Sequence, residues 1–199
     1  LLAITVPAGM INLSASSFKG AASLSTVTFA ANPAIVSIGA SAFESCTSLG
    51  AVAIPSKVIT IGTSAFQSCS SPSFAVTLLA DSALTAIGVS AFQSTGLITF
   101  AVPETVVTVL ASAFASCSNL VSVTFNCESA VTVATNAFDD SPGVISVFLP
   151  SSASYTGNKF RQPLVCCPSG KYSVTGDSRS LCGDCPVGMY NPGHGALEC

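Results

Sequence analysis

Nine cysteines and a single histidine are the residues of this 199-residue chain with the sharpest chemistry. Cys182 and Cys185 stand at the Cys-x-x-Cys spacing that serves a zinc knuckle, a redox pair or two separate disulfides, and His194 or Cys199 could complete a tetrahedral zinc site. A zinc ribbon needs two separated knuckles, however, whereas Cys166 and Cys167 are adjacent, and a Pro-x-Gly-x-Tyr turn follows both Cys167 and Cys185. Disulfides are the favoured reading, with zinc as the alternative, and disulfides imply an oxidising, extracellular compartment. A thioredoxin-type redox use lacks its βαβ context. His194, in Pro-Gly-His-Gly, reads as a solvated turn. So does Asp139-Asp140, because adjacent side chains in extended chain point apart. Serine-rich loops beside one His form no hydrolytic triad, and the chain has neither a phosphate loop nor a dinucleotide fingerprint. No enzyme is expected, and no cofactor.

The elements that must carry these residues are repeats. Ser-Ala-Phe or a close variant recurs with its Phe at 18, 43, 66, 92, 114 and 138, at spacings of 25, 23, 26, 22 and 24. The copy from Ser41 to Gly62 serves as template: S-A-F-x-S-C-x-x-L-x-x-V-x-I-P-x-x-V-x-x-I-G. Leu1 to Ala15 matches Leu49 to Thr63 without a gap, so the sequence starts in mid-repeat and a further repeat is expected upstream. Each copy holds two short segments of alternating polarity, such as Val52-Ala53-Ile54 and Ile59-Thr60-Ile61, the period of half-buried strands. Pro55, Pro103 and Pro150 are expected to close the first strand, and Gly39, Gly62 and Gly88 to end the second. A unit of about 24 residues cannot bury its Phe and Leu alone, so copies must stack in parallel ladders about 4.8 Å apart. The expected fold is mainly β: a solenoid of about six repeats of 22–26 residues, followed by a small disulfide-rich module. Cys46, Cys69 and Cys117 share one template position, at which neighbouring copies lie about one ladder step apart. Parallel side chains rarely bring Cβ atoms to the ~4 Å of a disulfide, so these three read as a buried thiol column.

Ser-Ala-Phe-x-Ser-Cys-x-x-Leu followed by Val-x-Ile-Pro and Val-x-x-Ile-Gly resembles the BspA-like leucine-rich repeats of surface proteins in bacteria and microbial eukaryotes. The match covers residues 1–150 and departs from the pattern where Ala21, Thr95 and Ser141 replace the Cys. The resemblance implies a leucine-rich-repeat solenoid, surface display, adhesion or protein interaction, and no shared catalytic residues.

Beyond Pro150 the repeat stops. Residues 151–165 read as a linker or cap, and residues 166–199 hold five Cys in the pattern C-P-x-G-x-Y. That pattern is similar to the ephrin-receptor-like and growth-factor-receptor-like cysteine-rich modules, a group akin to EGF-like domains. The resemblance implies pairing of Cys167 with Cys182 and of Cys185 with Cys199. It leaves Cys166 over, with Cys127, the repeat-region Cys outside the column, as its partner. Cys199 would open a further unit, so more sequence is expected downstream.

Composition narrows the partners. Hydrophobic residues make up 49% of the chain and charged ones 8%, against about 25% charged in a typical soluble domain. Six Lys and Arg against nine Asp and Glu give a net charge of −3, too few cations for a nucleic-acid stripe or an acidic membrane. No run is long enough to span a membrane. Between residues 1 and 138 the only charges are Lys19, Glu44, Lys57, Asp81, Glu104 and Glu128. In register, the outward residues of the first strand form a column of Thr5, Thr28, Ala53, Thr77, Ala101, Thr124 and Phe148. Those of the second are Asn12, Ser37, Thr60, Ala86, Thr108 and Thr132. Small neutral faces suit packing against other subunits, whether copies of the same chain or a related repeat protein. The expectation is an extracellular structural subunit of a filament, flagellar hair or matrix layer. Two alternatives remain: an adhesin for a host protein or glycan, and, lower, an ice-binding face in which Ala interrupts the Thr columns. Asn12-Leu13-Ser14 is a candidate N-glycosylation site, and the Ser and Thr could carry O-glycans. The disulfide reading is checked by non-reducing mass spectrometry: a Cys167–Cys182 linked peptide is expected, and reduced, zinc-bound thiols would replace it with the alternative.

Overall fold

Each repeat contributes one long and one short strand, and successive copies lie like on like. The computed structural model describes residues 2–79, 81–125 and 129–142, and beyond them the backbone of residues 146–150, 164–166, 171–173 and 182–184. Numbered in chain order, the long strands are β1 (Ala3–Val6), β3 (Thr26–Phe29), β5 (Ala51–Ile54), β7 (Ala75–Leu78), β9 (Thr99–Val102), β11 (Ser122–Phe125) and β13 (Ser146–Pro150). The short ones are β2 (Asn12–Leu13), β4 (Ser37–Ile38), β6 (Thr60–Ile61), β8 (Ala86–Ile87), β10 (Thr108–Val109) and β12 (Thr132–Val133). They are followed by β14 (Leu164–Cys166), β15 (Lys171–Ser173) and β16 (Cys182–Asp184). The fold is a mainly β, parallel solenoid of about six turns, with no helix among the described residues.

Alternation makes the strands. In β5, Val52 and Ile54 are buried while Ala51 and Ala53 face out, and the same pattern runs through β9. A third ladder joins the strands on the far side of each turn. There the N–H groups of Ser41, Phe43 and Ser45 donate to the carbonyls of Thr63, Ala65 and Gln67 in the next copy, each at 2.8 Å. The intervening Ala42, Glu44 and Cys46 bond back to Gly39, Ser41 and Phe43. This zigzag requires left-handed backbone at both serines of Ser-Ala-Phe-x-Ser: φ is 55° and 61° at Ser41 and Ser45, and 53° and 60° at Ser64 and Ser68. The segment is therefore a run of turns, not a 3₁₀ helix. Gly20 and Asp140 stand at the second of these positions in their copies. At the ends of the short strands copies touch backbone to backbone; a Cβ on Gly88 would lie 2.6 Å from the carbonyl carbon of Gly62.

The core is an aromatic stack. Phe18, Phe43, Phe66, Phe92, Phe114 and Phe138 lie one above another with ring centroids 5.2–5.5 Å apart and planes within 13°. Phe74 and Phe100 tilt against it. Leu24, Leu49, Leu97 and Leu120 are fully buried beside it.

The two faces differ. Short strands β2 to β12 form one unbroken six-stranded sheet, whereas the long strands fall into β1-β3, β5-β7 and β9-β11-β13-β14. Breaks fall between β3 and β5 and between β7 and β9. Seven residues, 30–36 and 79–85, follow β3 and β7, against five, 55–59 and 103–107, after β5 and β9. The longer connections sit at the breaks. Pro55 and Pro103 follow their strands as expected, but Pro150 is the last residue of β13, opposite Cys166 of β14, because its carbonyl side still fits an end-of-strand ladder position. The parallel sheet thus runs past Pro150. Strands β15 and β16 pair antiparallel, Ser173 opposite Cys182.

Removing a ring from the middle of the stack tests its continuity. Phe66→Ala is expected to cost about 3–5 kcal/mol in urea unfolding, and Phe66→Leu, which leaves a smaller cavity, less than that. A Phe66→Ala chain as stable as wild type would refute the dependence of each copy on its neighbours' rings.

Candidate functional site

Cys46, Cys69 and Cys117 are unpaired, fully buried thiols in one column beneath the turns. Each donates to the carbonyl of the Phe one copy earlier: Cys46 Sγ to Phe18 O at 3.2 Å, Cys69 Sγ to Phe43 O at 3.2 Å and Cys117 Sγ to Phe92 O at 3.0 Å. Burial pushes all three thiols above the ordinary cysteine range, most clearly at Cys69. The column explains one of the departures from the template. Ser141 Oγ donates to Phe114 O at 2.7 Å in place of a thiol. Thr95 does otherwise: its Oγ1 donates at 2.9 Å to Phe92 O of its own copy, the carbonyl that Cys117 Sγ also takes, and lies 3.3 Å from that thiol. Ala21 stands in the copy whose Phe, Phe18, is the first in the chain. What the position selects is a small donor, a signal present in the Cys/Thr/Ser alternation.

The outward columns are in register within each face. Thr5 lies opposite Thr28, Ala53 opposite Thr77, and Ala101 opposite Thr124, which in turn lies opposite Phe148. On the continuous sheet Asn12, Ser37, Thr60, Ala86, Thr108 and Thr132 form one unbroken row. The two columns belong to different sheets, so they present two faces and not one. Hydroxyls link neighbouring copies, with Thr5 Oγ1 2.9 Å from Thr28 Oγ1, and Ser37 Oγ donating to Asn12 Oδ1 at 2.7 Å. Asn12, the candidate glycan acceptor, is exposed at the edge of its sheet. Beside its row stand Ile11, Ile59 and Val107, 58%, 44% and 52% exposed. Backbone bonds from Ile59 N–H to Val36 O and from Val36 N–H to Ile11 O hold the first two in line. On the turn side, Lys19 pairs with Glu44 at 3.0 Å and Gln67 Nε2 donates to Gln93 Oε1 at 2.9 Å. A hydrogen bond from Ser41, and then Lys19, hold the Glu44 carboxyl below its ordinary value.

Each break in the long-strand face opens a groove that the sequence reading did not anticipate. The first, about 670 Å³, lies between β3 and β5, with Thr28, Phe29, Asn32, Ala53, Lys57 and Leu79 among its walls. The second, about 550 Å³, lies between β7 and β9, with Leu79, Asp81, Ala101 and Glu104 among its walls. The legible signal was the pair of two-residue-longer connections. Asn32 takes up one of them in left-handed backbone, φ 52°.

The proposed disulfide and zinc residues Cys127, Cys167, Cys185, His194 and Cys199 lie outside the described residues. Only the backbone of Cys166, Cys182 and Phe148 is described. Among the described residues no three His, Cys, Asp or Glu side chains converge on a metal-sized site, and no helix is long and apolar enough to cross a membrane. Asp140 sits in left-handed turn backbone and is exposed.

Residues 1–107 and 85–162 match the family model of the BspA type leucine rich repeat region, in six copies. A leucine-rich repeat protein from Bacteroides ovatus has a similar structure, with a TM-score of 0.64 and 23% identity over 80% of this chain and 43% of that one. The T. pallidum leucine rich repeat protein gives 0.68 and 24% over 77% of this chain and 72% of that one. A leucine rich cell surface protein from Faecalibacterium prausnitzii gives 0.52 and 22% over 79% and 57%. At these identities the likeness is one of fold, and the chain spans less than two thirds of the first and third proteins. No match is found among curated proteins.

The thiol column predicts inertness, because the thiolate is the reactive form and burial suppresses it. At mildly alkaline pH an alkylating reagent is expected to leave Cys46, Cys69 and Cys117 unlabelled in the folded chain and to label all three in denaturant, as read by peptide mapping. Labelling of the folded chain would mean that the repeats part at that level.

Proposed function

We propose, from the premise that this chain belongs to the BspA-type leucine-rich-repeat family, that it is a non-enzymatic structural unit displayed outside the cell. It packs against copies of itself or a related repeat protein to build a filament, flagellar hair or matrix layer. The observation that carries this reading is the unbroken six-stranded face. Its outward row, Asn12, Ser37, Thr60, Ala86, Thr108 and Thr132, holds no charge, and exposed Ile11, Ile59 and Val107 flank it. A neutral, partly apolar, flat surface is poorly suited to a freely diffusing monomer and well suited to close lateral contact. Surface display is supported by the likeness to the Faecalibacterium cell surface protein, and it accords with the cysteine usage of residues 166–199. In this reading residues 1–150 are the packing solenoid, residues 151–165 the linker or cap, and residues 166–199 a disulfide-stapled spacer.

An adhesin is the second reading, favoured by the two grooves on the long-strand face, which offer the concavity that a host protein or glycan would need. The ice-binding alternative finds little support: Ala53, Ala101 and Ala86 interrupt the hydroxyl rows.

Electron microscopy of native material containing the chain separates the readings. Ordered fibres or sheets are expected, and Thr108→Lys with Thr132→Lys should abolish them while leaving the circular dichroism and unfolding midpoint of the solenoid unchanged. Normal polymer from that variant would overturn the assembly role of this face.

A further inference from the structure

The long-strand face carries charge in a pattern that the neutral sheet opposite does not. Two cations lie among the residues with described side chains, Lys19 and Lys57. Lys19 is bound to Glu44, whereas Lys57 is exposed and makes no ion pair among the described residues. It stands in the wall of the groove between β3 and β5. Asp81 and Glu104 stand in the walls of the groove between β7 and β9. Leu79, 49% exposed, is a wall of both. The face thus reads cationic groove, apolar ridge, acidic groove along the solenoid axis. Between the two grooves lie only β5 and β7, whose outward residues are Ala51, Ala53, Ala75 and Thr77.

That order is self-complementary. We propose that two copies of this chain pair through the long-strand face, solenoids antiparallel, about a two-fold axis lying in the interface parallel to the strands between β5 and β7. Such an axis keeps the loop ends of the strands together and reverses the order of the repeats. The Lys57 groove of each copy then faces the Asp81 and Glu104 groove of the other, and both contacts form at once, as an isologous interface requires. The small outward residues of β5 and β7 meet their counterparts and allow close approach. Leu79 supplies an apolar anchor near the centre, with the charges at the rim setting register. A pairing of the same faces with the solenoids parallel reverses the strands and carries the loop ends, with Lys57, Asp81 and Glu104, to opposite edges of the interface, so only the antiparallel arrangement brings the opposite charges together. Six ladder steps of about 4.8 Å by a strand of about 13 Å give a face on the order of 400 Å², roughly half of what a stable partner surface buries. The pairing is therefore concentration-dependent and weakened by salt. It rests on the assembly reading above and deepens it: with the neutral sheet making a second contact, each chain has two interfaces, the minimum for an extended array.

Sedimentation of the purified chain at low salt tests this with exposed charges whose exchange leaves the core untouched. Lys57→Glu and Asp81→Lys are each expected to weaken self-association about tenfold. Mixing the two variants should restore it. The carboxylate introduced at position 57 of one copy then faces the ammonium introduced at position 81 of the other, while the native Asp81 of the first faces the native Lys57 of the second. The doubly exchanged chain should also regain most of the lost association, short of wild type because the native Glu104 then faces the introduced carboxylate. Failure of both the mixture and the double exchange would overturn the proposal. So would single variants that associate as tightly as wild type. If those variants associate normally while Thr108→Lys with Thr132→Lys does not, this face is excluded and the assembly reading stands. A wild-type chain that stays monomeric at every concentration and salt would remove both.

Discussion

A repeat of 22–26 residues encloses no core of its own, and everything else in this molecule follows from that. The Phe of each copy is buried only because another Phe lies 5.2–5.5 Å away in the next one. Backbone groups obey the same rule. In the turn segment alternate N–H groups point along the solenoid axis and find carbonyls in the following copy, whereas N–H groups at the short strands, such as those of Ile59 and Gly62, find carbonyls in the preceding one. The stack is stabilised by nearest-neighbour contacts, so a defect at one level is felt at the levels above and below it. Left-handed serines are part of the cost: a non-glycine residue there is disfavoured by about 1–2 kcal/mol, which the interrepeat bonds and the ring stack must offset.

The same constraint explains the uneven faces. Short strands sit directly after the connecting loops and before the tightly packed turn, where Gly39, Gly62 and Gly88 let backbones touch, and they hold an unbroken sheet. Long strands lie before those loops and absorb changes in loop length. Where a connection grows from five residues to seven, the ladder on that side parts, and a groove opens without disturbing the core. A solenoid can thus vary one face, and with it the surface chemistry, while the Phe stack stays fixed.

Most of this was legible in the residues. The spacing of Phe fixed the number of copies, and the alternation of Val52-Ala53-Ile54 set which side chains turn in; alignment of copies gave the register of the short-strand row, but the single long-strand column it implied is broken between Thr28 and Ala53 and between Thr77 and Ala101. Three features went unread, two of them despite a signal. Conformation at Ser41 and Ser45 is a backbone property that serine does not advertise, since Gly or Asn would be the usual mark of positive φ. The donor role of the thiols was hidden because Cys reads first as a small hydrophobe, and the contact of Ser141 with the preceding copy's Phe carbonyl exposes the shared requirement. The grooves depend on how two extra residues are accommodated, a question of packing between copies that no single copy contains.

Scarcity of charge is what ties fold to function here. A solenoid exposes much surface for its core, and the usual means of keeping such a surface apart from its neighbours is a mixture of charges. This chain has kept the neutral sheet free of them and has placed a cation and two carboxylates on opposite sides of a ridge on the other face. A few charges on a neutral field do more to set register than many would, because each wrong alignment brings like charges together with no others nearby to compensate. In the array proposed above the two faces would divide the work: the neutral sheet offers area without direction, and the charged grooves offer direction with little area. Such an array would need both, since neither face alone would specify one.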